Sequence, residues 1–233
     1  MVWSRVVDGR ALRFRLGGIN NMNFLMYDEE TGSWWQQISG ECLFGPLKGK
    51  KLTRIPSDEV TLATWRAEHP ESTAVRFLEG IRYPESDWEK RISKLPAAGG
   101  SKSRTDLPPR ELVAGIEFNG ASVGFPMEGL RASGPVNHAV GGEPVLVVAG
   151  NDGNSVRSFF RRFGGNVLIF YKAPDTAGFA LIDEATGSRW DFSGRAIAGP
   201  LAGQQLERIQ NTKDYWFDWQ RYHPQTTVYR VGR

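Results

Sequence analysis

Three histidines, one cysteine and two acidic turns carry most of the chemistry this chain could do. His69, His138 and His223 would have to converge to hold a metal ion, yet His69-Pro70 and His223-Pro224 close two helical patterns. Each is expected to meet the last carbonyls of its own helix, which leaves His138 as the histidine free to face a ligand. Cys42 is the single cysteine. It allows neither an internal disulfide nor a cysteine zinc cluster, and it reads as a small buried residue. Asp28-Glu29-Glu30 and Asp183-Glu184 surround turns and fit neither a calcium loop nor an acid/base pair on one helix face. Gly120-Ala121-Ser122-Val123-Gly124 has the letters of a nucleophile elbow, but it follows an Asn119-Gly120 hairpin signal and runs into Phe125-Pro126, with no helix after the serine. Trp34, beside Trp35 and next to Gln36 and Gln37, is a candidate aromatic platform for a sugar or peptide. The ligand-facing candidates are therefore Trp34, His138 and its neighbour Asn137. No catalytic, cofactor or metal residue is assigned, and no cofactor is expected in this chain.

The elements that must position these residues come in matched pairs. Asp28 to Trp35 (DEETGSWW) and Asp183 to Trp190 (DEATGSRW) are followed by Gly45-Pro46-Leu47 and Gly199-Pro200-Leu201. From Gly40 and Gly194 the register holds without a gap through Leu52/Leu206, Trp65/Trp219 and His69-Pro70/His223-Pro224. One residue is lost upstream, between Trp35 and Gly40, where a strand bulge could absorb it. We read an internal repeat. In it Trp35 and Trp190 are core, while Trp34, replaced by Arg189, is exposed.

The strand pattern is short and corner-rich. Met1 to Val7 and Leu12 to Leu16 flank Asp8-Gly9; Phe24 to Tyr27 and Ser33 to Ile38 flank the first acidic turn. Ser57 or Thr61 caps a helix carrying Leu62, Trp65 and His69, which lays its Trp stripe on a sheet. The second stretch adds a hairpin at 112–125, strands near 136–142 and 144–148, further strands to Tyr171, and a closing helix with Trp216 and Trp219. The fold expected is α+β and predominantly antiparallel β, with two related roll-like or barrel-like units, each bearing one short Trp helix. The domains read 1–77 (front strands missing), 78–111 (a breaker-rich connector) and 112–233.

With 40% hydrophobic residues and eight tryptophans the chain can fill sizeable cores and should be soluble. It has no run of 18 apolar residues, so no helical membrane span is expected. Its +3 charge is scattered, and the densest basic cluster (Lys48, Lys50, Lys51) becomes Ala202, Gln204 and Gln205 in the second stretch. No nucleic-acid partner is expected.

Met26-Tyr27-Asp28-x-x-Thr31-Gly32-Ser33-x-Trp35-x-Gln37, Gly40-Glu41, Gly45-Pro46-Leu47-x-Gly49-x-x-Leu52, Trp65, His69-Pro70, Pro108-Pro109-x-Glu111-x-Val113-x-Gly115 and Trp216-Phe217-x-Trp219 together resemble a bacterial and archaeal family catalogued as domain of unknown function 3179. The resemblance implies a preceding front half with a His-Glu and Val-Asn-Asp segment and a Cys-Pro-Leu-Cys motif. Neither is present, so the chain resembles the downstream part of a longer protein. In the second stretch Ala149-Gly150-Asn151-Asp152-Gly153-Asn154 stands where the cysteine motif would be. The functional expectation is a non-catalytic binding or structural module for a small molecule or protein, with room for a dimer through the incomplete first unit. The alternative is part of an extracytoplasmic metal-dependent, thiol-dependent or redox protein whose site lies upstream of Met1. Compartment is not readable from this chain, apart from the extracytoplasmic setting that a truncated start would imply.

Overall fold

The computed structural model describes residues 1–20, 23–76, 80, 91, 94, 106–174 and 178–231. These fall into two compact units, Met1–Ser57 and a second that begins at Asp58 and holds the remaining described residues. The fold is α+β and rich in antiparallel sheet, with three short helices among the described residues: α1 (Leu62–Glu68), α2 (Met127–Ser133) and α3 (Trp216–Tyr222). None is long and apolar enough to cross a membrane. The connector expected over 78–111 lies for the most part outside the described residues.

The first unit is built on a four-stranded antiparallel sheet in the order Phe14–Asn20, Asn23–Asp28, Trp34–Gln36, Cys42–Phe44. Two small ladders flank it, Val2–Trp3 with Arg54–Ile55 and Val6–Val7 with Arg10–Ala11. Asp8 and Gly9 take the positive φ angles that a two-residue hairpin requires. Val7, Leu12, Trp35, Cys42 and Leu52 form its core. Phe14–Asn20 is an edge strand, and no described strand pairs with its outer side.

The second unit contains a matching sheet, Phe170–Lys172, Leu181–Asp183, Arg189–Trp190 and Ala196–Ala198. The hydrogen bonds of the two sheets agree closely. Asp28 Oδ1 accepts from the Thr31 amide at 2.6 Å and Oδ2 from Trp35 Nε1 at 2.8 Å; Asp183 does the same with Thr186 at 2.7 Å and Trp190 at 2.8 Å. Each buried indole thus satisfies its N–H on the carboxylate that also shapes the turn. Ser33 and Ser188 receive the amides of Leu47 and Leu201 at 3.1 and 3.0 Å. Gly45 and Gly199 approach these serines so closely that a Cβ would stand 2.7 Å from the serine Cα in both places. The one-residue difference falls in a turn and not in a strand: Gly40 donates to the Gln36 carbonyl, four residues back, and Gly194 to Asp191, three back. Register shifts lie at the same place in both sheets, at Trp34/Trp35 and Arg189/Trp190.

Three further layers complete the second unit. Leu112–Phe118 and Ala121–Pro126 pair around Asn119-Gly120, between Asn211–Tyr215 on one side and Thr227–Val228 on the other; this last contact is parallel. Ser122 sits inside a strand, which removes the nucleophile-elbow reading. The strands Val136–Val140, Glu143–Ala149 and Val156–Phe160 form a second sheet, and α2 packs Met127 and Leu130 into the core beneath it. Helix α3 lies on the 112–126 hairpin with Trp216 and Trp219 buried. Gly115 makes this possible, since a Cβ there would come within 2.4 Å of the Trp219 ring.

Helix α1 departs from its expected seat. It begins as the sequence indicates, with the Thr61 hydroxyl accepting from the Thr64 amide, and ends at His69. The ring hydrogen bonds also match, Trp65 Nε1 to Ser72 Oγ and Trp219 Nε1 to Thr226 Oγ1, both at 2.9 Å. Yet α1 buries no residue, and Trp65 is 42% exposed. The Trp stripe was expected on a sheet; among the described residues no glycine-bearing hairpin lies under it, so the ring stays in solvent. Polar contacts within the second unit hold the segment instead. Arg157, 2% exposed, donates to Asp58 at 2.8 Å and to both oxygens of Glu68 at 2.6 and 2.7 Å, with Phe192 4.7 Å from its guanidinium carbon.

Candidate functional site

The Glu143–Ala149 strand ends in a tight loop, residues 149–155, that closes on itself through Gly150 to Ser155 and Gly153 to Gly150 backbone bonds of 2.9 Å. Asp152 organises it. Its Oδ1 accepts from the amides of Asn154 and Ser155 at 2.9 and 2.8 Å. Its Oδ2 accepts from the hydroxyls of Ser155, Thr61 and Thr64 at 2.6, 2.6 and 2.8 Å. Burial alone would raise this carboxyl, but the Ser155 and Thr61 hydroxyls and the loop amides outweigh it and hold Asp152 well below the usual carboxylate range.

Against this loop α2 sets Arg131, whose Nε donates to the Gly153 carbonyl. Gly134, at φ +75°, then turns the chain sharply after the helix. The result is a cavity of about 340 Å³. Leu130, Val148, Phe179 and Leu181 supply its apolar lining, and Arg131 and Lys172 are the two cationic residues that line it. With Asp152 saturated by its own donors, the balance of the lining is positive.

On the other side of Arg131 lies a wider cleft of about 890 Å³. It is lined by Glu59, Glu111, Glu128 and Asp214, with Arg110, Lys213 and Tyr215. Lys213 is held by Glu59 at 2.8 Å, and Arg110 rests over the Tyr215 and Phe217 rings. Burial, and then the charge of Asp218, push Asp214 up to about 7. Glu111 is raised as well, by burial first and then by Glu128. Among the described residues no group of three or more His, Cys, Asp or Glu side chains is placed to hold a metal ion.

None of the ligand-facing sequence candidates lines either cavity. Trp34 is in the first unit, 36% exposed, 6.0 Å from the Tyr27 ring and laid over Gly17. Asn137 uses both ends of its amide on the backbone of Phe170, donating to the carbonyl at 2.8 Å and accepting from the N–H at 2.9 Å. His138 is half-buried, edge-on to Phe125 and Tyr229 at 5.6 and 5.5 Å, and burial, with the Arg161 charge second, lowers its pKa. Neither Asn137 nor His138 lines either cavity. His223 does meet its own helix end, with Nδ1 3.0 Å from the Trp219 carbonyl, and Nε2 pairs with Glu117. Cys42 is buried, and burial raises its thiol.

Sequence reasoning missed Arg131, Lys172 and the acidic cleft. One signal was available: Asp152 flanked by glycines and asparagines, directly after an apolar strand, marks a shaped loop. A family model described as Protein of unknown function (DUF3179) matches residues 1–226 of the chain. No curated protein and no solved structure matches it.

Proposed function

Because the chain belongs to the DUF3179 family, whose description names no activity, we propose a function from its own site: a non-catalytic binding module that takes a small organic anion in the cavity beside Arg131. The single observation that carries this reading is a cavity whose lining combines apolar residues with two cationic ones, Arg131 and Lys172. An apolar pocket with a few convergent polar groups is the usual form of a small-molecule site. A carboxylate would sit between Arg131 and Lys172, and its hydrocarbon body against Leu130, Val148 and Phe179. Catalysis has less support, because Cys42 is a buried thiol with its pKa raised and Ser122 lies within a strand.

The same reading treats the chain as two copies of one unit. Matching Asp–Trp and Ser–Gly contacts build the sheets, and the cavity joins Lys172 and Leu181 of the second sheet to residues 130–135 and 148–153, which only the second copy carries. The test is calorimetric titration of the intact chain with straight-chain mono- and dicarboxylates of about four to ten carbons, alongside thermal shift. Submillimolar binding that Arg131→Ala and Lys172→Ala each weaken at least about tenfold is expected. Absence of binding across the series, or binding indifferent to both substitutions, would falsify the assignment.

A further inference from the structure

We propose that the Phe14–Asn20 edge strand pairs antiparallel with the same strand of a second copy, making a symmetric dimer through the first unit. Edge strands offer unpaired N–H and C=O groups, and proteins normally block them. Here the second sheet is blocked, and among the described residues nothing blocks the first. Asn137 bonds both backbone groups that Phe170 turns outward. Phe14 holds the equivalent place, pairing with Asp28 as Phe170 pairs with Asp183, and no described residue bonds its outward side.

The outward groups can be placed by alternation along the strand. The Arg13 carbonyl accepts from Glu29 within the sheet, so Phe14 and Leu16 turn outward. Beyond the register shift between Leu16 and Gly18, Ile19 pairs with Phe24, whose carbonyl serves Gln37 on the far side, so Ile19 also turns outward. Leu16 is 68% exposed and Ile19 71%. They lie opposite Met26 and Phe24, which share one face of their strand.

The strand is complementary to itself. Pairing centred between Gly17 and Gly18 sets Leu16 opposite Ile19 of the other copy, twice, with outward groups facing outward groups. Arg15 then meets Asn20, so no like charges oppose. Arg13 and Arg15 are already held by Glu30 at 2.8 Å and Glu29 at 2.6 Å. A two-fold axis at the glycine pair would extend one sheet across both copies.

The experiment is sedimentation velocity of the intact chain over a concentration series, with two variants. The wild type should approach twice the 26.0 kDa chain mass. The doubly substituted Leu16→Lys, Ile19→Lys chain should raise the dimer dissociation constant by at least about 100-fold with an unchanged melting temperature, since both side chains are exposed and the new charges face each other. A Leu16→Cys, Ile19→Cys chain should form a covalent dimer under mild oxidation, because directly opposed hydrogen-bonded residues stand about 5.5 Å apart at Cα, within disulfide reach. Wild type that stays monomeric at every concentration overturns the proposal and leaves the edge to a strand of another protein. A dimer that survives the lysine pair, or a cysteine pair that never cross-links, overturns it equally.

Discussion

The sheet of residues 14–44 and the sheet of residues 170–198 have the same turn carboxylate, buried indole, serine and glycine, and differ at their borders. In the second sheet Asn137 stops the edge. In the first, Leu16 and Ile19 reach solvent. The broad faces differ too, with Tyr27, Trp34 and Phe44 in one row of the first sheet where Ile182, Arg189 and Ala198 stand in the second. Interior positions are constrained alike because an unsatisfied indole or a crowded Cβ is costly in either setting. Borders are constrained only by what lies next to them, and there the sequences diverge.

The sharpest way to break this comparison is at the paired indoles. Trp35→Ala and Trp190→Ala should each cost about 3–5 kcal/mol by denaturant unfolding, because both remove a fully buried ring and one of the donors to a buried carboxylate. A clearly smaller loss at one site would show that the interiors are not equivalent.

The helices should respond unequally. Trp219→Ala should cost about 3–4 kcal/mol, since the ring fills the space over Gly115. Trp65→Ala should cost under about 1 kcal/mol because its ring is exposed. Equal losses would mean that α1 has a covered seat after all.

Asp214 takes the register position of Val60 in the first stretch, and its titration distinguishes the two. With a folded pKa near 7 against an ordinary 3.8, the folded state binds the extra proton between these values. The contribution to stability is therefore complete below about pH 4 and lost as pH rises through 7. Relative to Asp214→Asn, the wild type should lose about 2–4 kcal/mol between pH 4 and 8, read from urea midpoints. A flat difference would remove the desolvated carboxyl from the account.

A further substitution tests the blocked edge. Asn137→Ala should cost about 1–3 kcal/mol by leaving the Phe170 backbone groups unpaired. It should not alter the sedimentation behaviour assigned to the first edge.

Much of the fold was readable in the chain because local chemistry sets it. Asp28-x-x-Thr31 is a turn by side-chain hydrogen bonding, Asn119-Gly120 is a hairpin by positive φ, and Thr61 is a helix cap. Helix α2 escaped notice because its seven residues bury only Met127 and Leu130, too few for a period to emerge. Asn137 was singled out as a ligand group, but its partners are backbone atoms of a strand 33 residues away, which no local pattern encodes. The cavity was invisible for the same reason. Its lining joins α2, the loop at 149–153 and the strand at Leu181, and only tertiary packing brings Lys172 and Arg131 to one cavity.

The fastening of Asp58 and Glu68 onto Arg157 bears on how such a gene can be cut. A boundary drawn at residue 112, where the breaker-rich connector was read to end, would leave the Arg157 guanidinium without either counter-ion, and breaking a buried pair in this way commonly costs about 3–5 kcal/mol. A shortened version that keeps Arg157 paired has to begin at or before Asp58.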